Sequence, residues 1–252
     1  MGLIEDLVDS ARIRAAKLPR RAPRRRAPGP SFLEAIRGKA LLDVIAEYKQ
    51  ASPSLGDIAQ RSLVEQVVKY EQAGAAALSV LTEPSRFRGS YDDLEHAVAS
   101  VSLPVLMKDF VVDAAQVREA AYRGASAVLL IVRCLEPSEL VDLALLASEL
   151  GLTSVVECHD ASELDRALAI DDAVIGINNR DLDTLEIDRS LAPRLLSEVP
   201  AGRVVVAESG YLTAADVREV RGMADAVLIG SALMKLDAPD SLIREIRQER
   251  RP

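Results

Sequence analysis

Charged and amide side chains recur in this sequence at the ends of short apolar runs: Glu47 and Lys49, Lys108 and Asp109, Glu157, Asn178 and Arg180, Glu208 and Ser209, and Ser231. A lysine and a carboxylate brought together carry proton transfer, the ammonium as general acid and the carboxylate as general base. Two late stretches, Glu208-Ser209-Gly210 and Ile229-Gly230-Ser231-Ala232, supply small residues that let backbone N–H groups approach an anion closely. A helix that starts behind such a loop adds its positive end. One Gly-Ser pair is an ordinary turn; two of them beside charged run ends point to an enzyme that binds a phosphorylated small molecule.

The elements that must position these residues repeat one pattern, a short run rich in Val, Ile and Leu followed by a longer amphipathic stretch. The runs span 41–47, 76–81, 103–108, 126–132, 152–157, 173–178, 203–208 and 225–231, eight in all. Their spacing suits one strand and one crossover helix per unit. Gly74-Ala75, Gly124-Ala125 and Gly151-Leu152 precede the second, fourth and fifth runs, where a glycine ends a helix by turning left-handed. The expected fold is therefore α/β, a single (β/α)₈ TIM barrel with an N-terminal helical extension. The extension and a basic linker occupy 1–40, the barrel 41–252. An open Rossmann-like sheet is the other arrangement of such units, but no G-x-G-x-x-G follows the first run. In a barrel the strand ends share one face, so the listed polar residues converge. Ion pairs buried there add little net stability, which favours chemistry over structure as their purpose.

Ahead of the barrel, Leu7, Ala11, Ala15 and Leu18 give helical spacing over 4–18. Ser31 and Glu34 have capping-box spacing for a second short helix. Between them, eight Lys or Arg and no acid fall within residues 11–30, against a formal net charge of −8 for the chain. Such a stretch suits a nucleic-acid or membrane-surface arm, or a solvated connector. Overall acidity favours the connector, so neither nucleic acid nor membrane is expected as a partner. The chain's start lacks the basic-then-apolar order of a signal peptide, and its longest apolar run, 127–132, is too short to span a bilayer. With only Cys134 and Cys158, no disulfide framework or zinc-ligand spacing arises, and a cytoplasmic location is expected. An aromatic content of 3% with no Trp leaves the core to branched aliphatic residues and argues against surfaces that stack bases or sugars.

The blocks IAEYKQASPS (45–54), SVLTEPSRFRGS (79–90), PVLMKDFVVD (104–113), VVECHD (155–160), GINNRDL (176–182), VAESGY (206–211) and LIGSALMK (228–235) closely resemble, in order, those of indole-3-glycerol phosphate synthases. The likeness runs from about residue 31 to the end. It implies a carboxy-lyase of tryptophan biosynthesis, closing 1-(2-carboxyphenylamino)-1-deoxyribulose 5-phosphate to indole-3-glycerol phosphate with loss of carbon dioxide and water. No metal or organic cofactor is implied. The phosphorylated substrate is the implied partner, with other enzymes of the pathway as candidates. By resemblance Lys108 is the general acid, Glu157 the base, Lys49 a second lysine oriented by Glu47, and Asn178 a donor to the substrate's oxygens. The division of the acid role between Lys108 and Lys49 stays open. Lys108 is expected among cations, which would ease loss of its proton, and Arg180 with Glu208 as a charge pair. Ser52, Ser209, Gly210, Gly230 and Ser231 are assigned to the phosphate. Phe87, Phe110, Leu129, Leu182 and Leu228 form the ring-binding wall, although plain packing accounts for Phe110 as well.

Gln50 departs from the resemblance, standing where the family usually has Arg or Lys. Cys158, His159 and His96 are read as structural, and residues 51–56 as a mobile lid over the site. A phosphoribosylanthranilate isomerase-like barrel would need a Cys and Asp pair in place of Lys108 and Glu157. A barrel kept only as a binding scaffold would have lost several of Glu47, Lys49, Lys108, Glu157 and Asn178.

Overall fold

The computed structural model of the chain describes residues 2–20, 30–38 and 41–248. Most of the basic linker, 21–29, and the expected boundary at residue 40 lie outside them. Eight parallel strands close into a barrel: β1 (Asp43–Tyr48), β2 (Ala77–Leu81), β3 (Val105–Lys108), β4 (Ala127–Ile131), β5 (Thr153–Cys158), β6 (Val174–Asn178), β7 (Val204–Glu208) and β8 (Ala226–Ile229). Each coincides with one of the eight apolar runs, β1 and β5 continuing one residue past the end of theirs, and β1 pairs with both β2 and β8 to complete the ring. The open-sheet alternative is thereby excluded.

Helices follow the strands because local signals start and stop them. Ser62, Ser90 and Asp160 accept from the backbone N–H three residues on, opening α3 (Leu63–Ala73), α4 (Tyr91–Ser100) and α7 (Ala161–Leu168). The intervening α5 (Ala114–Tyr122) and α6 (Pro137–Glu149) begin at Asp113 and behind Glu136. Gly74 ends α3 at φ +91°, a conformation that costs a side-chain-bearing residue free energy. The chain continues with α8 (Leu191–Leu196), α9 (Ser231–Lys235) and α10 (Asp240–Gln248), while the β7–β8 connection carries successive i→i+3 turns from Thr213 to Arg221. Among the described residues no helix is long and apolar enough to cross a membrane.

Strand alternation splits the apolar residues into two cores. Val44, Ala46, Leu78, Val80, Met107 and their counterparts face the helices. Ile45, Ala77, Leu106, Leu129, Val155, Val206 and Leu228 fill the barrel. The inner core also takes in the N-terminal extension, through Ile4, Leu7, Val8 and Ala11 of α1 (Leu3–Ala15) and Phe32 and Ile36 of α2 (Phe32–Ile36). Helix α1 stops at Ala15 in a turn rather than running to Leu18. At α2 the Ser31 side chain accepts from Glu34 N at 3.2 Å, as the capping spacing implies.

Candidate active site

The period of two along each strand also fixes which polar residues look into the barrel. Glu47, Lys108, Glu157 and Glu208 stand at the inward position near the carboxyl ends of β1, β3, β5 and β7. They form one layer of four side chains from alternate strands, as barrels of this kind stack their interiors. The layer beneath comes from the even strands, Ser79, Leu129, Gly176 and Leu228, and below it Ile45, Leu106, Val155 and Val206 make an apolar floor. Three carboxylates and one ammonium are thus set on top of a dry core.

Lys108 Nζ bridges two of them, 2.9 Å from Glu157 Oε2 and 2.7 Å from Glu208 Oε2. Burial would drive off its proton, but Glu157, Glu208 and Glu47 outweigh burial and hold the ammonium above its ordinary range. The expectation of a Lys108 surrounded by cations is therefore corrected: register places carboxylates around it. Glu157 is pushed up by burial and pulled down further by Lys108 and then His159, so it stays ionised. Glu208, with the same burial and with Glu157 and Glu47 as like charges, is pushed up to about 7 despite Lys108. Asn178 Nδ2 donates to Glu157 Oε1 at 3.0 Å. The expected Arg180–Glu208 pair is also corrected: Glu208 pairs with Lys108, and the Arg180 guanidinium donates to the Leu185 carbonyl at 2.8 Å.

Lys49 Nζ lies 2.8 Å from Glu47 Oε1, the pairing anticipated for them. Two glycines make room for the carboxylates. A β-carbon on Gly230 would collide with Glu47 Oε1, and one on Gly176 would stand 2.6 Å from Glu208 Oε1. All the residues singled out for catalysis, phosphate or ring binding line one cavity of about 610 Å³. Ser209 takes φ +65° and Gly210 φ +89°; the Ser209 carbonyl is held by Asn179 Nδ2 at 3.0 Å. Residues 51–57 form a small hairpin, Ala51–Ser52 against Gly56–Asp57, with Arg88 Nη2 2.8 Å from Asp57 Oδ1.

Glu83 and Leu3 carried no signal in the sequence reading, and Leu7, Asp109 and His159 take places in the site that it did not give them. Glu83, fully buried, accepts from Ser85 N, Ser85 Oγ, Arg86 N and Phe87 N, which fixes the loop bearing Phe87. Leu3 and Leu7 of α1 line the cavity, although only the helical spacing of Leu7 was legible. Asp109 turns from the chemistry to take both Arg14 nitrogens, at 2.8 and 3.0 Å, and so ties α1 to the residue after Lys108. His159, read as structural, has its ring beside Glu157.

A family model described as indole-3-glycerol phosphate synthase matches residues 5–246. Among similar curated proteins, the indole-3-glycerol phosphate synthase of Mycobacteroides abscessus is 43% identical, covering 96% of this chain and 87% of that one. That of Deinococcus radiodurans is 48% identical over 82% and 80%, and that of Polaromonas naphthalenivorans 40% over 96% and 94%. Among solved structures, tryptophan synthase subunit alpha from Legionella pneumophila superposes with a TM-score of 0.59 at 16% identity, covering 98% of each chain. KGPDC from Streptococcus mutans gives 0.64 at 9% identity, covering 82% of this chain and 95% of that one. These last two likenesses show the barrel alone.

Proposed function

The chain belongs to the indole-3-glycerol phosphate synthase family, and we propose from this premise how its own residues divide the family's reaction. The protein is a carboxy-lyase of tryptophan biosynthesis that closes 1-(2-carboxyphenylamino)-1-deoxyribulose 5-phosphate to indole-3-glycerol phosphate. The observation that carries the assignment of roles is the position of Lys108 Nζ between Glu157 and Glu208 above an apolar floor.

In the first step the aryl carbon bearing the carboxylate attacks the ketone carbon. The ketone oxygen takes a proton from Lys108 and becomes a hydroxyl, and carbon dioxide leaves to restore the ring. In the second step Lys108, reprotonated from solvent after the first, gives a proton to that hydroxyl, which the aniline nitrogen expels as water; Glu157 removes the adjacent C–H proton to complete the indole and returns it to Lys108. Lys49, held by Glu47, pairs with the substrate carboxylate until it leaves, and Asn178 donates to the reacting oxygen. Glu208 retains Lys108 between turnovers. Phosphate sits against Ser52, Ser209, Gly210, Gly230 and Ser231, and Arg180 adds positive charge over the cavity. The ring lies between Phe87, Phe110, Leu129, Leu182 and Leu228. A cytoplasmic location and association with other enzymes of the pathway complete the proposal; two free, buried cysteines suit a reducing compartment.

The test is to incubate the purified protein with the ribulose phosphate substrate and follow indole absorbance, with Lys108→Ala and Glu157→Ala beside it. Turnover by the parent and a rate at least about a hundredfold lower in each variant is expected. A variant that keeps the parent rate overturns the role given to its residue.

A further inference from the structure

His159 follows β5 directly, its side chain 2% exposed, with a carboxylate at each ring nitrogen. Nδ1 lies 3.1 Å from Glu163 Oε2, an oxygen that also accepts from the His159 backbone N at 2.8 Å. Glu163 is itself fixed: Asp160 caps its backbone N, and Arg133 Nε donates to its Oε1 at 2.7 Å. Nε2 stands 3.2 Å from Glu157 Oε1, the oxygen that also accepts from Asn178. That approach is an electrostatic contact, since Nε2 has no aligned hydrogen-bond acceptor.

The two contacts together dictate the charge of the ring. A carboxylate has no proton to give, so Nδ1 must carry one to face Glu163. A neutral ring would then leave the Nε2 lone pair 3.2 Å from a Glu157 carboxylate oxygen, electron-rich atom beside anion in a dry site. A second proton converts this repulsion into an ion pair. Burial and Arg133 oppose the cation, but Glu157 and Glu163 prevail and raise the imidazole to about 9. The neighbouring thiols of Cys134 and Cys158 are pushed upward by burial and stay neutral.

We propose that His159 is a positioning residue: as a buried imidazolium clamped between Glu157 and Glu163, it keeps the Glu157 carboxylate ionised and stationary when Lys108 turns to the substrate. The need arises from the layer of charges itself. While the site is empty Lys108 supplies Glu157 with its counter-charge. Once that ammonium serves a substrate carrying its own phosphate and carboxylate charges, a buried Glu157 would otherwise take up a proton and cease to be a base. His159 supplies the second cation, from the side of the carboxylate away from Lys108.

The inference rests on Glu157 acting as the base, so the test separates the two. The chain contains only two histidines, and His96 is exposed on α4, so ¹⁵N-histidine spectra with His96→Gln as the assignment control read His159 without any turnover. Both ring nitrogens are expected to be protonated at pH 7; a neutral tautomer there overturns the proposal. In kinetics, His159→Gln is expected to move the acid limb of the kcat–pH profile upward by about one unit. That corresponds to a kcat about tenfold lower on the limb, with KM within about twofold. Glu163→Gln, which weakens the cation without touching β5, should move it in the same direction by less, and serves alone should His159→Gln fail to fold. A profile superimposable on the parent overturns the proposal. Inactive Glu157→Gln together with an unshifted His159→Gln profile would leave the base in place and remove only the role of His159.

Discussion

A β-carbon added to Gly176 would stand 2.6 Å from Glu208 Oε1, a separation that real side chains do not tolerate. The absence of a side chain on β6 is what lets the β7 carboxylate lie flat in the barrel and reach Lys108. Gly176→Ala should therefore displace Glu208 and loosen the bridge at Lys108. The expected result is a kcat lower by about tenfold and a stability loss of about 1–3 kcal/mol, the usual cost of overpacking. Steady-state kinetics and denaturant unfolding check it. A parent-like rate would mean that Glu208 has another resting place.

Lys108→Met removes the acid and also the ammonium that bridges Glu157 and Glu208. Turnover should fall by about a hundredfold or more. The two buried carboxylates then face each other, and one is driven to hold a proton, with a folded pKa above its unfolded value. Stability from that proton is present at low pH and lost as pH rises. The variant's melting temperature should fall further behind the parent's between pH 5 and pH 9, as scanning calorimetry would show.

Glu208 offers the corresponding test in the parent protein. Its carboxyl is pushed up to about 7 in the folded state, above the ordinary 4.5. The folded form therefore binds the proton more tightly than the unfolded chain. Its favourable contribution is present below about 4.5 and lost as pH rises through 7. Glu208→Gln lacks that titration, so its melting temperature should gain on the parent's between pH 6 and pH 8.5. A constant difference across that range would place the titration elsewhere.

Arg14→Ala cuts the tie from α1 to Asp109, whose side chain is fully buried. Thr82 and the Phe110 N–H remain as its partners, but the charge loses its counter-ion. A loss of about 3–5 kcal/mol is expected in urea unfolding, the range for breaking a buried pair on one side. Because Asp109 adjoins Lys108, kcat should fall as well. Arg14→Lys, which keeps the charge and loses the fork, should recover part of both.

How far these relationships were legible in the sequence depends on the distance over which each is decided. Strand and helix periodicity is local, so eight Val- and Ile-rich runs, the Ser and Asp caps and the glycine stops announced the barrel. The polar residues ending the runs announced where its open face would lie. What the chain order could not convey is which charges meet. Lys108 and Glu208 are 100 residues apart, and only the closure and register of the strands put them in one layer with Glu157 and Glu47. That closure placed Lys108 among carboxylates rather than cations, gave Glu208 to Lys108 instead of Arg180, and required nothing larger than hydrogen at Gly176. His159 lies just past the end of β5, where strand alternation no longer predicts direction. The approach of α7, carrying Glu163, decided that its ring would close against Glu157.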